Sequence, residues 1–71
     1  MYRIEATDVY SESYEWDGED FTEEAGKDYD NKAEADGAMM MAVMSAEDTS
    51  ICSLRLLKDD KVVKRVYFAL D

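Results

Sequence analysis

The side chains of this 71-residue chain that can take part in chemistry are 18 carboxylates, five tyrosines and the single thiol of Cys52. Histidine, the commonest general base in enzymes, is absent. Cys52 lies in the apolar run 51–54, so we expect a buried structural thiol, because free cysteine packs as a small hydrophobe. No serine or cysteine has a base nearby in the sequence to activate it. The chain is therefore predicted to have no catalytic residues and not to be an enzyme.

The spacing of the carboxylates does not match a dedicated metal site. Asp28-Tyr29-Asp30 opens like a calcium-binding loop. The EF-hand pattern then requires an acid or amide, a glycine and a glutamate where Lys32, Ala33 and Met39 stand. Weak binding of divalent cations by crowded carboxylates stays open as an alternative. We expect no cofactor and no dedicated metal site.

Charge is distributed unevenly along the chain, whose formal net charge is −10. Residues 1–48 carry 15 acidic and 3 basic side chains, whereas residues 49–71 carry 3 acidic and 5 basic ones. A negative field of this kind repels nucleic acid and anionic membranes and attracts a basic protein surface. We therefore expect a protein partner with a basic surface and no direct binding to nucleic acid or membrane.

The most acidic part of the chain, residues 12–36, also contains aromatic residues. Aromatic side chains are the usual anchors of protein interfaces, and flanking acids steer a domain onto a basic surface. The predicted partner-binding residues are Glu12, Tyr14, Glu15, Trp16, Asp17, Glu19, Asp20, Glu23, Glu24, Asp28 and Asp30. The alternative is that Trp16 and Phe21 cover the outer side of a helix while the acids solvate a loop. Such carboxylates can also imitate a phosphate backbone, which carries one charge per about 1.7 Å of duplex.

The elements that must position these residues begin with a strand. Tyr2, Ile4 and Ala6 alternate with polar residues, which predicts a half-buried strand continuing to about Tyr10. Residues 11–21 are compatible with a short hairpin that turns at Asp17-Gly18 in type I′ geometry, or with an ordered loop. Residues 22–26 are interpreted as one helical turn that Gly26 ends in the left-handed conformation.

A longer helix is predicted from Asn31, as its N-cap, to about Ala46. We expect one face of this helix to lie on the sheet through Ala33, Gly37, Met40, Met41 and Met44. Gly37 would then allow a close approach, despite a cost of about 1 kcal/mol relative to alanine. Residues 38–44 are apolar all round, so either the acidic segment or a second molecule is expected to cover the outer side. Met39 and Val43 are the predicted contacts with such a molecule.

The last third of the chain is predicted to be a β-hairpin from Ser50 to Leu70. A two-residue loop pairs Leu54 with Arg65, whereas a three-residue loop pairs Leu54 with Val66. The three-residue loop is preferred because it keeps one face of the hairpin apolar. It requires Lys61 to adopt a conformation close to left-handed.

These elements predict a single acidic α+β domain, residues 1–71, with one main helix on a three-stranded antiparallel or mixed sheet in the order β-α-β-β. The third strand is expected between the first and the second, after a right-handed crossover. A domain of this size buries only about 60% of its unfolded surface, so no deep cavity is expected. A lone cysteine, the lack of a signal-peptide pattern and the lack of a membrane-length apolar run predict a cytoplasmic location.

The short length, the excess of acid, the stretch 14–21 (Tyr-Glu-Trp-Asp-Gly-Glu-Asp-Phe) and the strand, helix and hairpin design resemble small phage-encoded inhibitors, such as anti-CRISPR and other DNA-mimic proteins. This resemblance implies an inhibitor that occupies the basic nucleic-acid channel of a host defence complex, in the cytoplasm of a bacterial cell. We therefore expect a non-catalytic binding protein. The alternative is a structural or adaptor domain, homodimeric through the Met-rich helix or a strand edge.

Overall fold

A computed structural model of the chain describes residues 1–68 and contains, in that range, five strands and one helix. In chain order they are β1 Tyr2–Asp8, β2 Ser13–Trp16, β3 Phe21–Thr22, α1 Lys32–Ala46, β4 Ile51–Lys58 and β5 Lys61–Tyr67. Neighbouring strands are antiparallel, and the sheet has the order β3-β2-β1-β4-β5. The α+β class is confirmed. The prediction of three strands is wrong, because the segment before the helix forms a hairpin that adds two.

The predicted strand order is also wrong, because β1 pairs directly with β4. Ile4 lies opposite Leu56 and Ala6 lies opposite Leu54. All four side chains are buried in the core. Strand β5, whose residues are mostly exposed, takes the edge of the sheet. This order places the apolar strand β4 between β1 and β5, away from water. Burial of apolar surface is the dominant favourable term in folding.

Helix α1 begins where the sequence predicts. Asn31 is the N-cap, and its Oδ1 accepts a hydrogen bond from the backbone N–H of Glu34 at 2.9 Å. The helix ends at Ala46, also as predicted. Its buried face consists mainly of small side chains, namely Ala35, Ala38, Met39, Ala42 and Ala46. Alanines at these positions let the helix lie close to β1 and β4.

The face predicted to contact the sheet instead faces solvent. Met40, Met41 and Met44 are 70%, 58% and 70% exposed. Gly37 is exposed as well, and a methyl group there would meet no atom within 4 Å. Met39, which was predicted to point outward, is buried in the core. Because residues 38–44 are apolar all round, hydropathy does not determine which face of the helix is buried. The alanine face is buried because small side chains let the helix pack more closely on the sheet.

The β4–β5 hairpin reaches the predicted register by a different turn. Leu54 lies opposite Val66, as predicted. The turn itself contains two residues, Asp59 and Asp60, with φ of 49° and 67°, and paired left-handed residues are the signature of a type I′ turn. A bulge at Val63 supplies the additional residue that shifts the register. The left-handed conformation predicted for Lys61 is therefore wrong, and the predicted extension to Leu70 lies outside the described residues.

The segment between β1 and α1 contains a hairpin rather than a helical turn. Strand β1 ends at Asp8, two residues before the predicted end at Tyr10. Trp16 lies opposite Phe21, so β2 and β3 are connected by the four residues 17–20. Gly18 takes the positive φ of this connection, at 106°. The predicted two-residue turn is therefore wrong, and so is the helical turn at residues 22–26, because Thr22 belongs to β3.

Candidate functional site

Seven of the predicted partner-binding acids are exposed on residues 17–30, which we call the acidic segment. They are Asp17, Glu19, Asp20, Glu23, Glu24, Asp28 and Asp30. None of them forms an ion pair with any residue in the range 1–68. The acidic segment contains one basic residue, Lys27, whose ammonium lies 5.4 Å from the centre of the Tyr29 ring. These seven negative charges therefore face solvent without an intramolecular counter-charge.

One backbone hydrogen bond closes the turn within the acidic segment, and two further contacts hold the segment against the sheet. The N–H of Asp17 donates to the carbonyl oxygen of Asp20 at 3.0 Å, and the N–H of Lys27 donates to that of Trp16 at 2.9 Å. Tyr29 forms a reciprocal pair of 2.8 Å bonds with Tyr2, at the start of β1. The exposed carboxylates are thus carried by an ordered backbone rather than by a free loop.

The side chain of Asp17 orders the connection between β2 and β3. Its Oδ1 accepts hydrogen bonds from the backbone N–H of Asp20 at 2.7 Å and of Glu19 at 2.8 Å. These bonds stabilise the carboxylate form and hold the pKa of Asp17 below its usual range. Asp17 therefore stays ionised at neutral pH and keeps the neighbouring acids in one arrangement.

A groove of about 480 Å³ lies between the acidic segment and helix α1. The buried side chains of Trp16 and Tyr29 line it. Its other lining residues are Gly18, Lys27, Asp28, Asp30, Glu34, Ala38 and Met41. The ammonium of Lys27 already lies over the Tyr29 ring, 5.4 Å from its centre. The carboxylates of Asp28, Asp30 and Glu34 outnumber this one positive charge, so the lining attracts a further cation. The groove therefore has the chemistry of a site for a basic side chain.

Trp16 does not belong to the exposed surface. Only 1% of the side chain is exposed, and its ring lies 5.0 Å from that of Phe21, centre to centre, at an angle of 58°. Trp16 is part of the core cluster, against which Phe21 packs. The prediction that Trp16 is an exposed anchor is wrong. The alternative, in which Trp16 and Phe21 cover the outer side of the helix, is also incorrect in its detail, because both pack against the core and Met40, Met41 and Met44 remain exposed on that side.

Glu12 and Tyr14 belong to a second cluster, at the other end of β2 from Asp17. The Tyr14 hydroxyl lies 3.0 Å from Oδ2 of Asp8 and 3.0 Å from Oε2 of Glu12. Asp8 is 3% exposed, and its Oδ1 accepts backbone hydrogen bonds from Tyr10 and Glu12 at 2.9 Å each. These contacts close the turn between β1 and β2. Tyr14 is therefore committed to a structural contact, whereas the Glu12 side chain remains exposed.

The hydrogen bonds of this cluster move both titratable groups away from neutral pH. Burial raises the pKa of Asp8, but hydrogen bonds from the Glu12 N–H, the Tyr14 hydroxyl and the Tyr10 N–H outweigh burial and lower it. Hydrogen bonds to the carboxylates of Asp8 and Glu12 raise the pKa of Tyr14. A general acid or base works best with a pKa close to the working pH. Asp8 is not among the residues predicted from the sequence, although its place in the alternation of β1 puts it on the buried face.

Glu15 contributes to an ion-pair network on the face of the sheet opposite the helix, which we call the open face. Its Oε1 lies 2.9 Å from Nε of Arg3, in an orientation that does not meet hydrogen-bond geometry. Glu5 lies beside both arginines of the network, 3.7 Å from Arg3 and 3.5 Å from Arg55. Glu15 is therefore neutralised within the fold, unlike the seven acids of the acidic segment.

Comparisons with protein-family models, with curated proteins and with solved structures find no match for this chain. Any function must therefore be inferred from its own residues.

In the range 1–68 no group of three or more histidine, cysteine, aspartate or glutamate side chains is arranged to hold a metal ion. No helix in that range has the length and apolar character needed to cross a bilayer.

Cys52 contacts two backbone carbonyl groups rather than a base. Its Sγ lies 3.4 Å from the oxygens of Thr7 and Asp8, and the side chain is half-buried. A thiol becomes reactive when a neighbouring positive charge or a base favours the thiolate. Here two carbonyl oxygens instead accept weak hydrogen bonds from the thiol. These contacts are those of a structural cysteine.

Proposed function

We propose that this chain is a non-catalytic binding protein, an inhibitor that places its acidic segment in a basic, nucleic-acid-binding groove of a protein partner. The observation that carries the proposal is the set of seven exposed carboxylates on residues 17–30, none of which forms an ion pair with another residue in the range 1–68. Unpaired charges of one sign raise the rate of encounter with a surface of the opposite sign and set its orientation.

The order of the acidic segment adds affinity to this attraction. Backbone bonds from Lys27 to Trp16 and between Tyr29 and Tyr2 hold the segment before any partner arrives. A preformed surface avoids the entropic cost of ordering a loop on binding. The groove beside Asp28, Asp30 and Glu34 offers one concave position for an arginine or lysine of the partner. Long-range charge thus brings the partner surfaces together, and the groove gives them a register.

Binding is favoured over catalysis by the properties of the titratable groups. Asp8 and Asp17 have lowered pKa values, Tyr14 has a raised one, and hydrogen bonds of two turns cause all three shifts. Such shifts stabilise the protonation state that each group already has at neutral pH. Proton transfer requires the opposite adjustment.

The proposal is tested by capture of partners from a bacterial lysate. The tagged protein is incubated with lysate at low and at high salt, and the bound proteins are identified by mass spectrometry. We expect a nucleic-acid-binding protein or complex that is recovered only at low salt and is displaced by added DNA or RNA, because salt screens exposed charges. Recovery of a partner without nucleic-acid-binding activity, or of one that survives high salt, would exclude the proposal.

A second function, as a homodimeric adaptor domain, is favoured by the exposed methionine face of helix α1. Met40, Met41 and Met44 are all more than half exposed, next to the exposed Gly37. Methionine side chains build adaptable apolar binding surfaces, and a contiguous exposed apolar patch indicates an interaction site. This face replaces Met39 and Val43, the contacts predicted from the sequence. The two functions use different surfaces and respond to salt in opposite ways.

A further inference from the structure

Strand β5 forms a basic edge on an otherwise acidic molecule. It carries Lys61, Lys64 and Arg65, and no acidic residue occurs between Lys61 and Tyr67. The sheet order places β5 at the edge opposite β3, which is followed in the chain by Glu23 and Glu24. The two edges of the sheet therefore have opposite charge.

The outer backbone of β5 is available for pairing with another strand. The N–H of Phe68 donates to the carbonyl oxygen of Cys52 at 2.9 Å. Hydrogen-bonded and non-hydrogen-bonded pairs alternate along an antiparallel ladder, so the backbone N–H and C=O groups of Tyr67 and Arg65 point away from β4. In the described part of the chain β5 has no neighbour on that side. These two residues therefore offer four backbone groups to a further strand.

A pair of arginines lies on the open face next to this edge. Arg55 and Arg65 are directly opposite each other on β4 and β5, and like charges in this position destabilise a sheet. Arg55 contacts Glu5 at 3.5 Å and the hydroxyl of Thr7 at 2.8 Å. Arg65 is exposed, and no acidic residue in the range 1–68 forms an ion pair with it. Within residues 1–68 the fold therefore supplies no carboxylate that pairs with Arg65.

The surface around Arg65 has room for an acidic side chain. A groove of about 270 Å³ is lined there by Ser53, Leu54, Arg55, Arg65 and Tyr67. Tyr67 is 70% exposed, and Val63, at the bulge, is 55% exposed. A guanidinium binds a carboxylate through two parallel hydrogen bonds. In the described part of the chain, the edge thus combines free backbone groups, exposed apolar side chains and an arginine that forms no ion pair.

We propose that β5 is a docking site for an extended acidic strand of a partner protein, which continues the sheet beyond Arg65 and Tyr67 and places a carboxylate on the Arg65 guanidinium. Addition of a strand gives affinity through main-chain hydrogen bonds and specificity through alternate side chains. The charge of β5 selects an acidic strand and rejects a basic one. This site is separate from the acidic segment, whose strand β3 lies at the other edge of the sheet and whose Tyr29 pairs with β1 rather than β5.

A second copy of this chain does not supply that strand through β5 itself. Pairing of two β5 strands would bring the lysines of both copies together, and charged residues on an edge strand are a common means of preventing such pairing. An acidic strand from another protein turns the same charges into attraction.

The probe for this site is an eight-residue peptide with blocked ends, in which valine and glutamate alternate. A peptide with lysine in place of glutamate is the matched control. Binding is followed by fluorescence anisotropy of a labelled peptide and by amide chemical-shift changes of the isotope-labelled full chain. We expect the glutamate peptide to bind at least about tenfold more tightly than the lysine peptide, because charge-assisted hydrogen bonds contribute more than the 1.4 kcal/mol that corresponds to a factor of ten. The shifts are expected on Lys61–Tyr67 and on the facing residues of β4.

Two variants separate the charge from the backbone contribution. Arg65→Gln removes the charge, and Tyr67→Pro removes an N–H that points away from β4, a position at which an edge strand tolerates proline. Each is expected to weaken binding of the glutamate peptide by at least about tenfold. Lys27→Gln, which removes a positive charge from the acidic segment, is expected to leave binding unchanged. Thermal unfolding checks that each variant folds. If Tyr67→Pro does not fold, Arg65→Gln alone tests the site.

Three results would overturn the docking site on β5. They are equal binding of the two peptides, shifts confined to residues outside β4 and β5, and concentration-dependent shifts on β5 in the absence of peptide, which would assign the edge to a second copy. The substitution of acids in the acidic segment leaves this measurement unaffected. Failure of the inhibitor proposal and failure of the β5 proposal are therefore distinguishable.

Discussion

Gly26 lies against the backbone of Trp16 so closely that a methyl group at Gly26 would be 2.7 Å from the Trp16 carbonyl oxygen. That oxygen accepts the N–H of Lys27 at 2.9 Å. The contact brings the acidic segment back to the end of β2 after it leaves β3. It joins the exposed acids to the buried tryptophan, and therefore makes the candidate surface part of the fold.

Substitution of Gly26 by alanine is predicted to destabilise the protein. The added methyl group would also lie 2.8 Å from Cβ of Glu15, so the segment must move. Overpacking of this kind costs about 1–3 kcal/mol. Urea unfolding of Gly26→Ala measures the loss, and amide chemical shifts should change from Lys27 to Asp30. Wild-type stability of this variant would show that the segment is not held against Trp16.

Gly37 provides the matched control, because the same substitution is predicted to have the opposite effect. A methyl group at Gly37 meets no atom within 4 Å, and the residue lies inside helix α1. Alanine in a helix interior is more stable than glycine by about 0.5–1 kcal/mol. The free energy of unfolding of Gly37→Ala should therefore increase by that amount. A decrease would mean that the exposed face of the helix is covered in solution.

The buried carboxylate of Asp8 is predicted to make stability depend on pH in the acid range. Its pKa is lower in the folded chain than its ordinary value of about 3.9. Such a group stabilises the fold above the unfolded-state pKa, and this stability is lost as the pH falls through the folded-state pKa. Asp8→Asn should therefore lower Tm at pH 7, and the difference from wild type should shrink below about pH 4. A constant difference in Tm would contradict the role of the ionised form.

The methionine face is predicted to support self-association if the second proposed function holds. Each copy carries a charge of −10, and repulsion between the copies is screened by salt. A dimer formed through helix α1 should therefore become stronger as salt is added. Sedimentation equilibrium measures this, and Met40→Gln combined with Met44→Gln should abolish it. Glutamine at the buried positions Met39 and Ala42 would instead disturb the packing of the core. A wild-type protein that stays monomeric at high salt would exclude the dimer.

The sequence predicts the elements of this fold better than their faces. Alternation identifies β1, and the N-cap of Asn31 identifies the start of α1, because both signals are local. The choice of the face that helix α1 buries is not determined by local signals. Residues 38–44 are apolar all round, and contact with the sheet buries the alanines instead of Met40 and Met44. In the last hairpin the apolar pairing of Leu54 with Val66 is predicted correctly. The bulge that permits it leaves no sequence signal.

The candidate site is predicted in part, and for a similar reason. The density of charge identifies the acidic segment without any structural information. It cannot tell an acid that faces solvent from one that is paired, and Glu15 is paired with Arg3 across neighbouring strands. Composition also cannot separate an exposed tryptophan from a buried one. Trp16 is buried because it faces the same side of the sheet as the helix, which depends on a strand pairing that the sequence leaves open.

The most direct test of the inhibitor proposal compares two variants that each lose three negative charges. The first variant changes acids of the acidic segment to amides, at Glu19, Glu23 and Glu24. The second changes acids of the helix and of the residues after it, at the half-buried Asp36, which pairs with Lys32, and at the exposed Glu47 and Asp48. Both are measured for low-salt capture of a nucleic-acid-binding protein from bacterial lysate, with displacement by added DNA. We predict that the first variant loses capture and the second retains it. Equal capture by both variants, or equal loss, would contradict a specific role for the acidic segment.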